Sequence, residues 1–127
     1  MASAVLDASA LLALLNGERG ADRVARVVAD AAMSTVNLAE TISKLVQRGA
    51  PPAEASRLIS LLDIEMLDFT RSLAEAAAAL ISATGKRGLS LGDRACLATA
   101  MEAGATAVTA DRGWADLDLD AAVSVIR

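Results

Sequence analysis

Short apolar runs that suit β-strands alternate with longer segments of helical periodicity along the whole chain. The strand-like runs fall at residues 4–6, 33–36, 64–67, 106–109 and 123–126, and the helical segments at 8–15, 21–32, 37–46, 52–62, 70–81 and 93–103. Strands that are joined through helices pair in parallel and are covered on both faces. The alternation therefore predicts an α/β fold, a three-layer α/β/α sandwich with a mostly parallel five-stranded sheet. The length of 127 residues suits a single domain, residues 1–127.

Carboxylates stand at one edge of this predicted sheet: Asp7, Glu40, Asp93 and Asp111. Asp7 and Asp111 follow predicted strands, whereas Glu40 and Asp93 fall in the first turns of predicted helices. Ligands of parallel sheets bind beyond the carboxyl ends of the strands, which is the edge where these acids lie. Each acid alone also has a local explanation, because residues 37–40 and 90–93 fit capping boxes and the other two fit turns.

Taken together, the acids predict a metal site. Like charges that crowd together oppose ionisation unless a cation joins them. Mg²⁺ and Mn²⁺ prefer oxygen ligands, and Mg²⁺ commonly joins one or two carboxylates to the phosphates of a substrate. The pattern therefore favours metal-assisted chemistry on a phosphate group.

The histidine and cysteine content excludes several classes of catalytic site. The chain contains no histidine and a single cysteine, Cys96, which excludes Ser-His-Asp triads, Cys-His pairs and zinc clusters. Acid–base steps would then use carboxylates, lysine or a metal-bound water. Cys96 itself is predicted to be a small buried residue of the sixth helix.

Charge and hydropathy limit the partners and the location. The net charge of −4 disfavours a plain nucleic-acid binding module, because such modules are usually basic. The first residues lack the basic start and apolar stretch of a signal peptide, and no apolar run approaches the ~18 residues of a membrane span. We therefore expect a cytoplasmic protein with no membrane partner.

Four sequence blocks carry a family resemblance: VLDASALLALL at residues 5–15, STVNLAE at 34–40, LSLGDRACLA at 89–98 and AVTADRGW at 107–114. In order and spacing they resemble the successive motifs of PIN-domain ribonucleases. The chain length resembles that of the VapC-type toxins of bacterial toxin–antitoxin pairs. One departure is Trp114, which stands where the family more often has Phe and is predicted to pack its turn.

The resemblance implies a Mg²⁺- or Mn²⁺-dependent endoribonuclease that acts on RNA as a homodimer and is held inactive by an antitoxin protein. It implies that Asp7, Glu40, Asp93 and Asp111 form the catalytic site. Asp7, Asp93 and Asp111 would be the metal ligands, with Glu40 and Asp116 as further candidates. Ser9 and Thr109 match hydroxyl positions that support the ligands or a bound water. The candidate RNA contacts are the basic residues near the acids: Lys86, Arg87, Arg94 and Arg112.

Two alternatives remain at the level of sequence. A haloacid-dehalogenase-like phosphatase would use Asp7 as nucleophile, but it requires a second Asp where this chain has Ser9. A non-catalytic metal-binding interaction module would be receiver-like or a PIN fold kept for partner contacts. Receivers require a Lys after a late strand, and residues 106–111 contain none.

Overall fold

The computed structural model describes residues 2–127, apart from the side chain of Lys86. Its five-stranded sheet has the order β3-β2-β1-β4-β5, and each pairing of neighbouring strands is parallel. The strands are β1 (Ala4–Leu6), β2 (Ala31–Ser34), β3 (Glu65–Leu67), β4 (Thr106–Thr109) and β5 (Val123–Val125). The predicted α/β class and five-stranded sheet are confirmed, and the sheet is parallel throughout its described pairings.

The helices occupy both faces of the sheet. They are α1 (Ala8–Asn16), α2 (Ala21–Val27), α3 (Thr35–Gln47), α4 (Pro52–Ser60), α5 (Arg71–Ala79), α6 (Ile81–Thr84) and α7 (Leu91–Ala103). Single 3₁₀ turns follow α2, α6 and β4, at Val28–Asp30, Gly85–Arg87 and Arg112–Trp114. Two predicted helices are too long, because residues 31 and 32 belong to β2 and the 70–81 segment breaks at Leu80. No helix within residues 2–127 has the length and apolarity needed to cross a membrane.

The start of α3 departs most from the prediction. Ser34 ends β2, where it pairs with Leu67 of β3, and its hydroxyl accepts a hydrogen bond from the backbone N–H of Val36 (3.2 Å). Ser34 is therefore the N-cap, and the predictions that this strand reaches Val36 and that Asn37 caps the helix are wrong. Serine and asparagine are both favoured N-cap residues. Ser34 takes the position because its pairing with β3 makes it the last residue of β2, directly before the helix. Asn37 and Glu40 consequently lie within the helix rather than in a capping box.

Alternate strand residues face opposite helical layers, as the two-residue period of a strand requires. Leu6 and Met33 pack in the layer that contains α1, α2 and α4. Val5 and Ala32 pack in the layer that contains α7. Trp114 joins that second layer from the turn after β4 and is only 1% exposed, so the predicted packing role is confirmed.

The strand order places a switch point between β1 and β4. The chain builds β1, β2 and β3 outward in one direction and then crosses to β4 and β5 on the other side of β1. A crevice opens at such a point beyond the carboxyl ends of the strands, and open α/β sheets bind ligands there. Asp7 follows β1 and Thr109 ends β4, so both stand at this crevice.

Candidate functional site

Asp7 is the most constrained of the predicted site residues. It follows β1 directly and caps α1, because its Oδ1 accepts hydrogen bonds from the backbone N–H of Ala10 (2.8 Å) and the hydroxyl of Ser9 (2.7 Å). Its Oδ2 accepts a hydrogen bond from the Thr109 hydroxyl (2.6 Å). The side chain is 5% exposed, so both oxygens are held in place beneath the crevice.

Burial makes the Asp7 carboxylate electrostatically unfavourable. Loss of hydration raises the pKa of Asp7 above its ordinary value, and the negative charge of Asp93 adds to the rise. Hydrogen bonds from Thr109, Ala10 and Ser9 lower the pKa but do not offset the burial. Among the side chains that the structure describes, no lysine or arginine forms an ion pair with Asp7. The site therefore favours a proton or an external cation at this carboxylate.

The hydroxyls of Ser9 and Thr109 join the end of β4 to the start of α1. The Ser9 hydroxyl accepts a hydrogen bond from the backbone N–H of Ala110 (2.9 Å), and the Thr109 hydroxyl accepts one from the backbone N–H of Asp111 (3.0 Å). Asp111 in turn caps the following 3₁₀ turn, because its Oδ1 accepts a hydrogen bond from the backbone N–H of Gly113 (2.8 Å). These contacts hold Asp7 and Asp111, which follow the adjacent strands β1 and β4, at one edge of the sheet.

Asp93 lies in the first turn of α7. Its Oδ2 accepts a hydrogen bond from the backbone N–H of Ser90 (2.9 Å), and the Ser90 hydroxyl accepts one from the backbone N–H of Asp93 (3.1 Å). The predicted capping box at residues 90–93 is therefore confirmed. The reciprocal bonds fix the direction of the Asp93 side chain at the helix start.

Glu40 reaches the same place from α3. Its Oε1 accepts a hydrogen bond from the side-chain amide of Asn37 (2.8 Å), and that amide also donates to the backbone carbonyl of Gly92 (3.0 Å). A Cβ atom at Gly92 would overlap the Glu40 carboxylate. The glycine therefore lets the Glu40 side chain lie against the backbone of α7, which brings two helices to one site.

The predicted acids line one cavity of about 200 Å³, together with four other residues: Asp7, Ala8, Ser9, Asn37, Glu40, Lys44, Asp93 and Asp111. Sequence reasoning missed two of the polar residues among them, Asn37 and Lys44. Asn37 had been assigned to a helix cap, yet it is 1% exposed and its Oδ1 has no hydrogen-bond partner among the described residues. Lys44 follows Glu40 by four residues, and this spacing, which puts both on one helix face, was the available signal.

The other predicted residues lie outside this cavity. Asp116 pairs with Arg87, whose Nη1 lies 3.1 Å from the Asp116 Oδ1. Arg94 donates from Nη1 to the backbone carbonyl of Ala77 on α5 (3.0 Å), and Arg112 donates from Nε to the carbonyl of the last residue (3.1 Å). The structure thus does not bring Asp116 or these arginines together with the acids of the cavity, and the side chain of Lys86 lies outside what it describes.

A larger cleft, of about 590 Å³, lies at the opposite edge of the sheet. Its carboxylates, those of Asp30, Asp63, Glu65 and Glu102, are all exposed to solvent. Water screens exposed charges, so they need no added cation. The desolvated Asp7, rather than cavity size, makes the smaller cavity the candidate site.

The donor chemistry of the small cavity suits Mg²⁺ or Mn²⁺, but its oxygens do not converge as they stand. Within residues 2–127 no three acidic or other metal-binding side chains are placed to hold an ion together. Glu40, Asp93 and Asp111 each have one oxygen in a local hydrogen bond, and the second oxygen of each accepts no hydrogen bond from the residues that the structure describes. Mg²⁺ retains several waters and needs only one or two direct carboxylates, so these second oxygens are compatible with an ion.

The sequence matches the PIN domain family over residues 4–119, which includes all four acids of the cavity. The chain belongs to the PIN-domain family. This assignment excludes the haloacid-dehalogenase-like and receiver-like alternatives. No curated protein matches the sequence at a significant level.

Solved structures share the fold of this PIN domain. It is similar to a chain of a toxin–antitoxin complex from Klebsiella pneumoniae, with 22% identity, a TM-score of 0.74 and 98% of each chain covered. It is also similar to a chain of DNA-bound VapBC from Salmonella typhimurium, with 16% identity, a TM-score of 0.75 and both chains covered completely, at 100%. VapBC-5 from Mycobacterium tuberculosis is 26% identical, with a TM-score of 0.61 and 98% of each chain covered.

Proposed function

We propose that this PIN domain is the VapC-type toxin of a toxin–antitoxin pair, an endoribonuclease that depends on Mg²⁺ or Mn²⁺ and hydrolyses RNA phosphodiester bonds. The observation that carries the proposal is the acidic cavity. Four carboxylates from two strand ends and two helices line it, and the buried Asp7 has no cationic partner among the described side chains. Without a counter-ion this group of carboxylates costs folding free energy. The arrangement is therefore consistent with a binding site for a cation.

The chain's own residues would orient the reaction. Asp7, Asp93 and Asp111 would hold the ion, with Ser9 and Thr109 holding both oxygens of Asp7 in place. Bound there, the ion would lower the pKa of a coordinated water and offset charge on the scissile phosphate. Glu40, which Asn37 positions, would accept the proton of the attacking water at its Oε2, which has no hydrogen-bond partner among the described residues.

The expected products distinguish this reaction from metal-free RNA cleavage. In-line attack by water leaves a 5′-phosphate and a 3′-hydroxyl, whereas attack by the 2′-hydroxyl of RNA leaves a cyclic phosphate. The second route needs a general base at that hydroxyl, and the absence of histidine, the commonest such base, disfavours it.

A toxin of this type would also have protein partners. The structural neighbours include a toxin–antitoxin complex and VapBC assemblies, and we extend this by proposing an antitoxin partner, a homodimer and a cytoplasmic location for this chain. Exposed apolar side chains supply surface for such contacts, with Leu61 70%, Leu91 55% and Ile81 53% exposed. Large apolar residues left in water favour association.

One observation favours a second candidate, a PIN fold kept for binding rather than catalysis. No three metal-binding side chains of the described residues converge in the present arrangement. Titration calorimetry with Mn²⁺ separates the two candidates, because the nuclease requires binding that Asp7→Asn weakens. An absence of Mn²⁺ binding supports the interaction module.

Cleavage of a structured RNA by the purified protein tests the nuclease directly. We expect cleavage with Mg²⁺ or Mn²⁺, loss of cleavage with EDTA, and a fall in rate of at least ~100-fold for Asp7→Asn and Asp93→Asn. Asp120→Asn is the matched control, because Asp120 is exposed and lies outside the cavity. Cleavage that survives chelation and both cavity substitutions refutes the metal-dependent mechanism.

A further inference from the structure

A shallow groove with a mostly apolar lining runs along α3 and meets the acidic cavity at Lys44. Lys44 and Glu40 border both the cavity and this groove, which has a volume of about 610 Å³. Its other lining residues are Thr35, Val36, Ala39, Ser43 and Gln47. These residues follow one another at the three- and four-residue spacing that places side chains on a single helix face. The groove is therefore a continuous path from the acids along the exposed side of α3.

Lys44 carries a positive charge that is available to bind an anion from outside the protein. Among the side chains that the structure describes, it forms no ion pair, although four carboxylates line the same cavity. The Oε1 of Glu40, its neighbour one turn earlier, already accepts a hydrogen bond from Asn37. An exposed ammonium group with no acidic partner is suited to an external anion.

Among the described side chains, the three candidate arginines are directed elsewhere. Arg87 is paired with Asp116, Arg94 bonds to the backbone of α5, and Arg112 bonds to the last residue of the chain. An RNA strand that approaches the acids would meet repulsion unless a nearby cation held its backbone. Lys44 is the basic residue that lines the cavity within the described part of the chain.

We propose that the groove along α3 holds the RNA strand beside the cleaved bond, with the Lys44 ammonium on the phosphate next to the scissile one. Gln47 lies about one helical turn farther along α3 and would contact the following nucleotide through its side-chain amide. This assignment rests on the proposed nuclease function and adds a path for the substrate. The reacting phosphate would lie at the ion that the acids hold, and the groove holds its neighbours.

Salt-dependent binding tests the assignment. Binding of a fluorescein-labelled single-stranded RNA is measured with Mg²⁺ at several salt concentrations, in an Asp7→Asn background that prevents cleavage. Each phosphate contact to a single strand contributes about 0.7 to the slope of log K against log salt. We expect Lys44→Gln to weaken binding roughly 3- to 10-fold and to reduce that slope by about 0.7.

Three further variants test whether the effect on RNA binding is due to the charge of Lys44. Lys44→Arg should restore both the affinity and the slope, because it keeps the charge. Arg71→Gln is the control, since Arg71 lies on α5 with its side chain 93% exposed and should change neither quantity. Gln47→Ala should weaken binding without changing the slope, because an amide contact releases no counterion.

The opposing outcomes are separable. If Lys44→Gln keeps both affinity and slope while the wild-type protein cleaves RNA, the groove assignment is wrong and the nuclease stands. A change in thermal stability or Mn²⁺ affinity with an unaltered slope would mean that Lys44 only offsets the carboxylates, which also overturns the assignment. If the wild-type protein neither cleaves nor binds RNA, the proposed function itself fails.

Discussion

At the scale of single residues, Asp7 is the site residue whose burial affects the stability of the folded protein. It is a carboxylate that is 5% exposed and held by hydrogen bonds from Ser9, Ala10 and Thr109. Those bonds orient the side chain, but burial still raises its pKa. A residue that costs stability when ionised and is nevertheless held in a single orientation is typical of a functional position.

Asp7→Asn is expected to stabilise the metal-free protein near neutral pH by roughly 1 kcal/mol, a usual size for a single-site effect. Because the folded pKa lies above the ordinary value of 3.8, wild-type stability falls as pH rises from that value through the folded pKa. Asn cannot ionise and can still accept from Ser9 and donate to Thr109. The advantage of the variant should therefore shrink as pH falls toward 3.8.

Urea unfolding followed by circular dichroism between pH 3 and pH 8 measures this difference. The matched variant Asp120→Asn removes an exposed carboxylate and should follow the wild-type profile. A wild-type protein that is more stable than Asp7→Asn at neutral pH without metal would contradict the desolvation argument.

At the scale of elements, the site depends on the close approach of α3 and α7. Gly92 has no side chain where the Glu40 carboxylate lies, and the Asn37 amide bonds to both Glu40 and the Gly92 carbonyl. The two helices therefore meet through a glycine and a buried amide rather than through apolar side chains alone.

Gly92→Ala should move Glu40 without unfolding the protein. The added methyl group displaces a flexible carboxylate end, while Ala gains roughly 0.5–1 kcal/mol of helix propensity over Gly. We expect stability to change by less than ~1 kcal/mol and RNA cleavage to fall at least ~10-fold, since a small misplacement of the proposed proton acceptor is costly.

Thermal unfolding and cleavage rates, measured on the same preparations, check this pair of expectations. Gly85→Ala is the control, because a Cβ there would lie 3.9 Å from Ile81, which is an ordinary van der Waals contact. Full activity in Gly92→Ala would show that the position of Glu40 is unimportant for the reaction.

At the scale of the whole molecule, the acidic site lies over an aliphatic core. Cys96 of α7 is fully buried among Val5, Leu97 and Ala107 in the layer behind the sheet. Burial raises the pKa of the Cys96 thiol well above its ordinary value, and the charges of Asp7, Asp93 and Glu40 add to the rise. The predicted role of Cys96 as a small buried residue is confirmed.

Alkylation of Cys96 should consequently report global unfolding. A thiolate is the reactive form, and neither the proton loss nor reagent access is available in the folded core. We expect iodoacetamide at pH 8 to label the native protein at least ~1,000-fold more slowly than the denatured protein, since the unfolded fraction of a stable domain is small.

Mass spectrometry of timed samples measures both rates on the same chain, and the lone cysteine makes every adduct assignable. Labelling of the native protein at the denatured rate would mean that the layer behind the sheet is open to solvent.

The amino-acid sequence by itself determined the α/β class, the strand positions to within a few residues, and the four acids that line the cavity. Apolar periodicity reports local backbone structure, and an acid after a parallel strand has only one edge on which to lie. Only the tertiary structure decided that Ser34 rather than Asn37 caps α3, and that Lys44 rather than Arg87, Arg94 or Arg112 borders the acids. These outcomes depend on the pairing of β2 with β3 and on bonds such as that from Arg94 to Ala77. Such contacts join residues that are distant in the chain, and no local pattern encodes which of several equivalent caps or cations they select.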